Sequence, residues 1–253
     1  VGGQTETHPR LLDIVQGGAL SQALPEKVAA AGGGTSCNFL LGGVHPETGR
    51  YYAHYHFEGI GWGGRYTTDG NSVQCVPHGN CQNTPIEILE TRFPLRHSHY
   101  GLRRDSGGAG RTRGGLGPHR VFEITAPEMR VNALFDRTES RPWGLFGGLP
   151  ADRASILVKP KGADRFMTFR EAFGTASPSK FTNVVLHAGD QVMIDSPGGG
   201  GYGPPEQRDP ALVQRDVDEG FISPEAARDL YKVALYQRDG RWAVDEAATT
   251  ALR

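Results

Sequence analysis

Leu11, Leu12, Val15, Ala19, Leu20 and Leu24 recur at helical spacing and predict an amphipathic helix over residues 9–31. Pro9 suits its first turn, and the Gly32-Gly33-Gly34 run ends it. The pattern then changes to period two. Strands are predicted over 37–41 and 51–57, around a Gly-Gly turn and an HPETGR loop. The second strand sets Tyr52, His54, His56 and Glu58 on one face, and Tyr51, Ala53, Tyr55 and Phe57 on the other. Residues 59–85 break both periods, being too rich in Gly for a helix and too poor in β-branched residues for a strand. An irregular stretch of that length usually serves function or an interface. Strand character resumes over 86–100, broken at Pro94, and again over 119–124, 129–136, 156–158 and 184–196. A Gly-Arg loop is expected at 107–117 and a tight packing turn at SPGGGGYG, residues 196–203. Helical spacing returns over 210–219 and 224–232, with Ser223 as a cap, and the closing DEAATTALR is expected to trail along the surface. The fold class is therefore α+β: a Gly-rich, predominantly β core with an N-terminal helix and short C-terminal helices. Residues 1–205 form the core and 206–253 a short helical tail packed on it.

Composition narrows the function. With 253 residues, 37% hydrophobic and 22% charged, the chain is neither disordered nor a coiled coil. A net charge of -1 gives no overall pull toward nucleic acid or anionic lipid, and no run nears the roughly 18 apolar residues of a membrane span. Neither nucleic acid nor a membrane is expected as a partner. The 36 Gly and 17 Pro are clustered without a collagen period, so they mark turns and close backbone approaches. Cys37, Cys75 and Cys81 are odd in number and lack CxxC spacing, which argues against a disulfide framework and fits a reducing cytoplasm. The opening VGGQTETHP reads as the interior of a longer polypeptide, or the product of a split or cleaved one.

Candidate chemistry is scattered. His54, His56 and Glu58 share a strand face and suit Zn or Mn, although alternate residues on a strand lie about 6.6 Å apart, and a hydrogen-bonding role is the competing reading. His8 and His78 sit beside Pro in polar loops and are weaker candidates; His97 and His99 are read as surface residues. Arg103, Arg104, Arg111 and Arg113 lie among glycines and could cradle an anion; the alternative is a structural turn in which Arg103 or Arg113 braces Asp105. Glu6, Asp69 and Glu87 are available for acid–base work, and Cys75 and Cys81 lie near His78. No nucleophile elbow or phosphate-loop motif is present.

The same loops carry a resemblance. VGGQTETHPRLLD is similar to the "GNxETSQRxxD" segment of the hydantoinase B/5-oxoprolinase family, matching at Thr5, Glu6, Thr7, Arg10 and Asp13, with Gln4 where Asn is usual. GIGWGGRYTTDG matches at Arg65, Asp69 and Gly70, and NTPIEILETRFPL resembles "NTPxExxExxxPL". LRRDSGGAGRTRGGLG, DRTESRPWGLFGG and the tail from Ser196 supply three further ordered blocks, so the resemblance covers about residues 1–235. The family includes the alpha-type subunits of acetone and acetophenone carboxylases. The resemblance implies a component of the B-type subunit of an ATP-dependent cyclic-amide hydrolase acting on a hydantoin, 5-oxoproline or lactam, inactive as an isolated chain. A hydantoinase A-like ATPase partner would phosphorylate the substrate. A ketone carboxylase component and a non-catalytic structural subunit are the alternatives. It further implies a divalent metal, Zn or Mn, held mainly by an N-terminal half supplied as a separate chain. Glu6, Asp69, Asn83, Glu87 and Asp105 then become the candidates for lining or bracing the site, with Arg103 and Arg113 for an anionic cofactor.

Overall fold

The computed structural model describes residues 6–77 and 79–253. Gln4, Thr5 and His78, singled out above, lie outside the described residues. The main strands are β1 (Asn38–Val44), β2 (Tyr51–His56), β3 (Leu95–Leu102), β4 (Pro118–Ile124), β5 (Met129–Leu134), β6 (Ser155–Lys159), β7 (Met167–Thr168), β8 (Lys180–Leu186) and β9 (Gln191–Asp195). They form a four-stranded sheet, β2-β1-β5-β8, and a five-stranded sheet, β3-β4-β9-β6-β7, with every pair antiparallel. Both sheets turn alternate residues into one core. Phe39, Met129 and Val131 of the first sheet meet Phe122, Ile124, Val192 and Ile194 of the second, and the Phe39 and Phe122 rings cross edge to face at 5.8 Å.

Helices are not confined to the two ends, which corrects the expected arrangement. α1 (His8–Asp13) is followed by α2 (Ile86–Arg92) and α3 (Phe169–Phe173) in mid-chain. α2 occupies part of the 86–100 stretch read as strand. Pro85 caps it, Leu89 is its buried residue, and the chain turns extended at Phe93 before Pro94. α3 is short but fully capped: Thr168 and Glu171 form a capping box, and Gly174 closes it at φ 67°. After α4 (Pro210–Asp218) and α5 (Pro224–Asp229) comes a hairpin, β10 (Leu235–Arg238) and β11 (Arg241–Val244), then α6 (Glu246–Leu252). Asp239 and Gly240 both take positive φ at the hairpin turn, the requirement of a tight two-residue connection. α6 replaces the expected trailing end; Asp245 caps it, and the buried Thr249 hydroxyl accepts from the Ala234 amide. A second apolar cluster joins Val213, Val217, Ile222, Ala227 and Tyr231 to Ala109.

The predicted N-terminal helix is shorter and inverted. α1 runs into a π-helical turn (Ile14–Ala19) and two 3-10 turns (Leu20–Gln22 and Pro25–Lys27), and residues 28–34 lie outside any helix. The segment buries Pro9, Asp13, Gly17 and Ser21, a stripe four residues apart, while Leu11, Ile14, Val15 and Leu24 are about half exposed. Gly17 is what allows the contact. A Cβ there would lie 2.9 Å from the Trp143 indole nitrogen.

Glycine segments, not a tight turn, join the two regions. The run Gly198 to Gly201 is wholly buried and crosses several extended segments. A Cβ on Gly198 would lie 2.1 Å from the Ser106 carbonyl, on Gly199 2.0 Å from that of Trp62, on Gly200 2.0 Å from that of Trp143, and on Gly201 2.1 Å from that of Ala109. The facing segment thus recurs after three residues, the screw of a polyproline-II-type helix. Because that helix has no internal hydrogen bonds, its amides bond laterally: Gly199 to Gly115, Gly200 to Ala31, and Gly64 in turn to Gly200, at 2.8–2.9 Å. Backbone packed directly on backbone leaves no room for side chains.

Candidate functional site

The second half of the irregular 59–85 stretch walls a recess of about 560 Å³ beside the glycine bundle. Its lining includes Trp62, Gln74, Cys75, Asn80, Cys81, Gln82, Asn83 and Tyr100. Paired amide bonds between Ile60 and Gln74, both 2.8 Å, fix the wall, and the Trp62 indole donates to the Cys75 carbonyl at 2.8 Å. Asn83 donates its amide to the Tyr100 hydroxyl at 2.6 Å. Arg120 stacks its guanidinium on the Tyr100 ring at 3.9 Å, so a cation lies beneath the phenol. Burial nevertheless keeps that phenol above its ordinary range and hence protonated. The Cys75 and Cys81 sulfurs are 2.9 Å apart. Burial, with Cys81 adding to it, pushes the Cys75 thiol up to about 11, so it is no thiolate nucleophile at neutral pH.

Glu6 is buried and heads a hydrogen-bond chain that ends at Tyr55, which is not among the residues lining the recess. Its carboxylate accepts from the Ser36 amide at 2.9 Å and the Asn38 side chain at 2.7 Å, and Asn38 accepts from the Tyr55 hydroxyl. Tyr55 in turn feels Glu6, Cys81 and Cys75. Burial pushes the Glu6 carboxyl up to about 7, outweighing the donors that favour its charge. A group with that value can accept or release a proton near neutrality. An acid raised on folding contributes stability that is full below its unfolded value, 4.5, and lost as pH rises through about 7. Glu6→Gln is therefore expected to flatten the decline in unfolding free energy across that window, by on the order of 2 kcal/mol. Urea unfolding of both proteins at pH 4.5, 6 and 7.5 measures it; parallel curves would show that Glu6 does not titrate there.

The other sequence candidates lie elsewhere. Asp69 sits in a buried clamp, its two oxygens accepting from Arg208 at 2.7 and 2.8 Å and one of them from the Arg113 amide at 2.7 Å. Burial alone would raise it, yet Arg208 and Arg113 hold it below the usual carboxylate range. Asp105, at φ 61°, does not pair with Arg103 or Arg113; it accepts from the Ser223 amide at 2.8 Å and holds the start of α5. Glu87 is exposed in the first turn of α2. Arg103 is committed to Asp152 at 3.0 Å and the Arg153 carbonyl at 2.7 Å, and Arg113 to Asp216 at 3.4 Å and the Gly114 carbonyl at 2.7 Å. Neither guanidinium is left to cradle an anion.

The His54, His56 and Glu58 set does not fit a metal. Glu58 is held by Arg120, Nε to Oε1 2.5 Å, and by His56 Nε2 at 2.8 Å. Burial would raise its carboxyl, but His56 and Arg120 hold it low. His54 stacks on Phe93 at 4.6 Å, and burial, then His56 and Arg120, push it down to about 4. Among the described residues no group of three or more His, Cys, Asp or Glu side chains is arranged to hold a metal ion. His97, expected at the surface, is tucked under this group and accepts from Arg120 at 2.8 Å.

Tyr55, Tyr100, Arg120, Arg208 and Asp216 were not foreseen. Arg120 carried a readable signal: it shares the inward face of β4 with Phe122 and Ile124, and a charge there requires a buried acid.

Known proteins share this architecture. The caprolactamase beta subunit of Pseudomonas jessenii is 33% identical over 242 residues, which is 93% of this chain and 40% of that subunit. The crystal structure of the ATP-dependent caprolactamase superposes with a TM-score of 0.75 at 28% identity, over 92% of this chain and 39% of that one. Nucleotide-free acetone carboxylase shares the fold, with a TM-score of 0.74 at 24% identity over 92% of this chain and 34% of its own. The chain spans no more than 41% of the length of the curated relatives it matches first. No helix among the described residues is long and apolar enough to cross a membrane. The hydantoinase B/oxoprolinase family model matches residues 1–205, and the chain belongs to that family.

Proposed function

We propose that this chain is a component of the B-type subunit of an ATP-dependent cyclic-amide hydrolase, completing the ring opening of a substrate that a partner ATPase has phosphorylated. The observation that carries this reading is the chemistry of the recess. Gln74, Asn80, Gln82 and Asn83 supply side-chain amides and Tyr100 a phenol, with no carboxylate, Lys or Arg among its described lining residues. Once activated, a cyclic amide presents an imidate nitrogen as acceptor and, in a hydantoin, a further ring N–H and carbonyl, which side-chain amides match in both senses. The likeness to the caprolactamase beta subunit supports the same choice.

Amide resonance makes the carbonyl a poor electrophile. Phosphorylation of its oxygen by the partner, with loss of the ring N–H proton, gives an imidate. Water then adds at that carbon, the ring C–N bond breaks and inorganic phosphate is released, and the recess has to orient the activated ring for that attack. Tyr100 oxygen accepts from Asn83, so its proton remains to donate toward a substrate oxygen on which charge develops. Tyr100→Phe in the assembled complex is expected to lower kcat by about 10²-fold with little change in KM.

The test is the complete complex assayed with a hydantoin, 5-oxoproline and a lactam. Substrate-dependent ATP hydrolysis with a ring-opened product and no need for bicarbonate supports the proposal. A bicarbonate requirement with a carboxylated product would assign the ketone carboxylase activity instead. Full turnover in Glu6→Ala, Asn83→Ala and Tyr100→Phe would leave only a structural role.

A further inference from the structure

The N-terminal helical segment faces the wrong way for an isolated protein. Leu11, Leu12, Ile14, Val15, Leu20 and Leu24 are 37–54% exposed, whereas the residues it buries are Pro9, Asp13, Gly17 and Ser21. The polar stripe is committed inward: Asp13 accepts from the Gly32 amide at 3.0 Å and pairs with Arg137 at 3.1 Å. From residue 11 to residue 25 Asp13 is the sole charged side chain, so the outer face carries no charge at all. Contiguous apolar surface stripped of charge is the composition of an interface core.

We propose that this face docks the remainder of a B-type subunit, the portion of its relatives that lies outside their match to residues 1–253. The inference rests on the functional reading above and adds the surface that would receive that partner. Two observations favour that occupant. About three fifths of the relatives' length lies outside the match, since the chain covers 41%, 37% and 40% of three of them. The face is also continuous with the site. Leu12 and Gln16 line a smaller recess of about 190 Å³ together with Asp13, Arg65 and Trp62, and Trp62 lines the larger recess as well. A partner seated on Leu12 and Val15 therefore comes to the Trp62 wall and can complete the site from outside this chain.

A photo-crosslinking phenylketone residue in place of Val15, with one in place of the exposed Tyr236 on β10 as control, tests the assignment in cells of the source. The adduct is identified by peptide sequencing. An adduct from Val15, absent from Tyr236, to hydantoinase B-type sequence outside residues 1–253 is expected. The double variant Ile14→Glu/Val15→Glu should reduce that adduct, read from a crosslinker at Leu11, by at least about tenfold while the isolated chain unfolds as before. An adduct to a second copy of residues 1–253 overturns the proposal in favour of self-association. An adduct only to the ATPase, or none above the control, overturns it outright. A B-type adduct in a complex that hydrolyses no ATP with any cyclic amide would keep the docking face and remove the functional reading, so the two fail separately.

Discussion

Gly114→Ala is expected to abolish the folded state. The added methyl would lie 1.7 Å from the Gly199 carbonyl oxygen and 2.4 Å from its carbon. Neither can retreat. Gly199 donates its amide to Gly115 at 2.9 Å, its carbonyl accepts from Gly108 at 2.8 Å, and on its far side a Cβ would lie 2.0 Å from the Trp62 carbonyl. Relief would have to separate the polyproline-II-type segments and break lateral bonds between buried amides, each costing about 1–3 kcal/mol when left unpaired. Ordinary overpacking costs about 1–3 kcal/mol because side chains adjust, and backbone here does not. A total of 5 kcal/mol or more is on the order of a domain's whole stability. Gly18→Ala is the matched control. It is exposed within the helical segment, its nearest neighbour is the Ile14 side chain at 3.9 Å, and alanine there should be neutral or gain up to about 1 kcal/mol. Circular dichroism and urea unfolding of the two variants decide the matter. A Gly114→Ala protein melting within a few degrees of the parent would refute the backbone-on-backbone packing.

That bundle is also where sequence reading stopped. Alternation along 119–124 and 129–136 announced β4 and β5, because half-buried strands write their faces into side chains. Glycines write nothing, and a three-residue screw within a run of four leaves no pattern to count. α2 was hidden for another reason: seven residues offer little more than Ile86 and Leu89, and β3 begins only three residues after its end. α3 went unread in the sequence, although Thr168, Glu171 and Gly174 carry its capping signal. The N-terminal spacing gave the helix but not its orientation. Which stripe turns inward depended on Arg137, a partner 124 residues away. The site divides in the same way. Asn83 is visible in its own block, whereas Tyr100 reaches the recess from β3 with Arg120 of β4 stacked beneath it, and Asp69 reveals its role only once Arg208 is beside it.

Arg208→Met is expected to cost about 3–5 kcal/mol at neutral pH, because it strands the buried Asp216 and the part-buried Asp69 carboxylates rather than merely removing a pair. Arg208 is fully buried and binds both oxygens of Asp69 and one of Asp216, at 2.7–2.8 Å, so it ties the loop before the glycine bundle to α4. Lysine cannot replace a planar fork that grips two carboxylates, and Arg208→Lys should recover only part of the loss. The pH dependence separates this mechanism from simple loss of packing. In the parent, Asp69 is depressed, so its contribution is full above its unfolded value, 3.8, and is lost as pH falls through the lower folded value. Without Arg208 the burial of Asp69 is opposed by Arg113 alone, its carboxyl rises, and protonation relieves the variant. The deficit should therefore be largest near pH 7 and shrink toward pH 4. Hydrogen exchange should place the loosening in α4 and the 65–70 loop while β4 and β9 stay protected. A deficit below about 1 kcal/mol, or one constant from pH 7 to 4, would mean that the clamp is geometry without consequence, and Asp69 would return as a candidate for the chemistry itself.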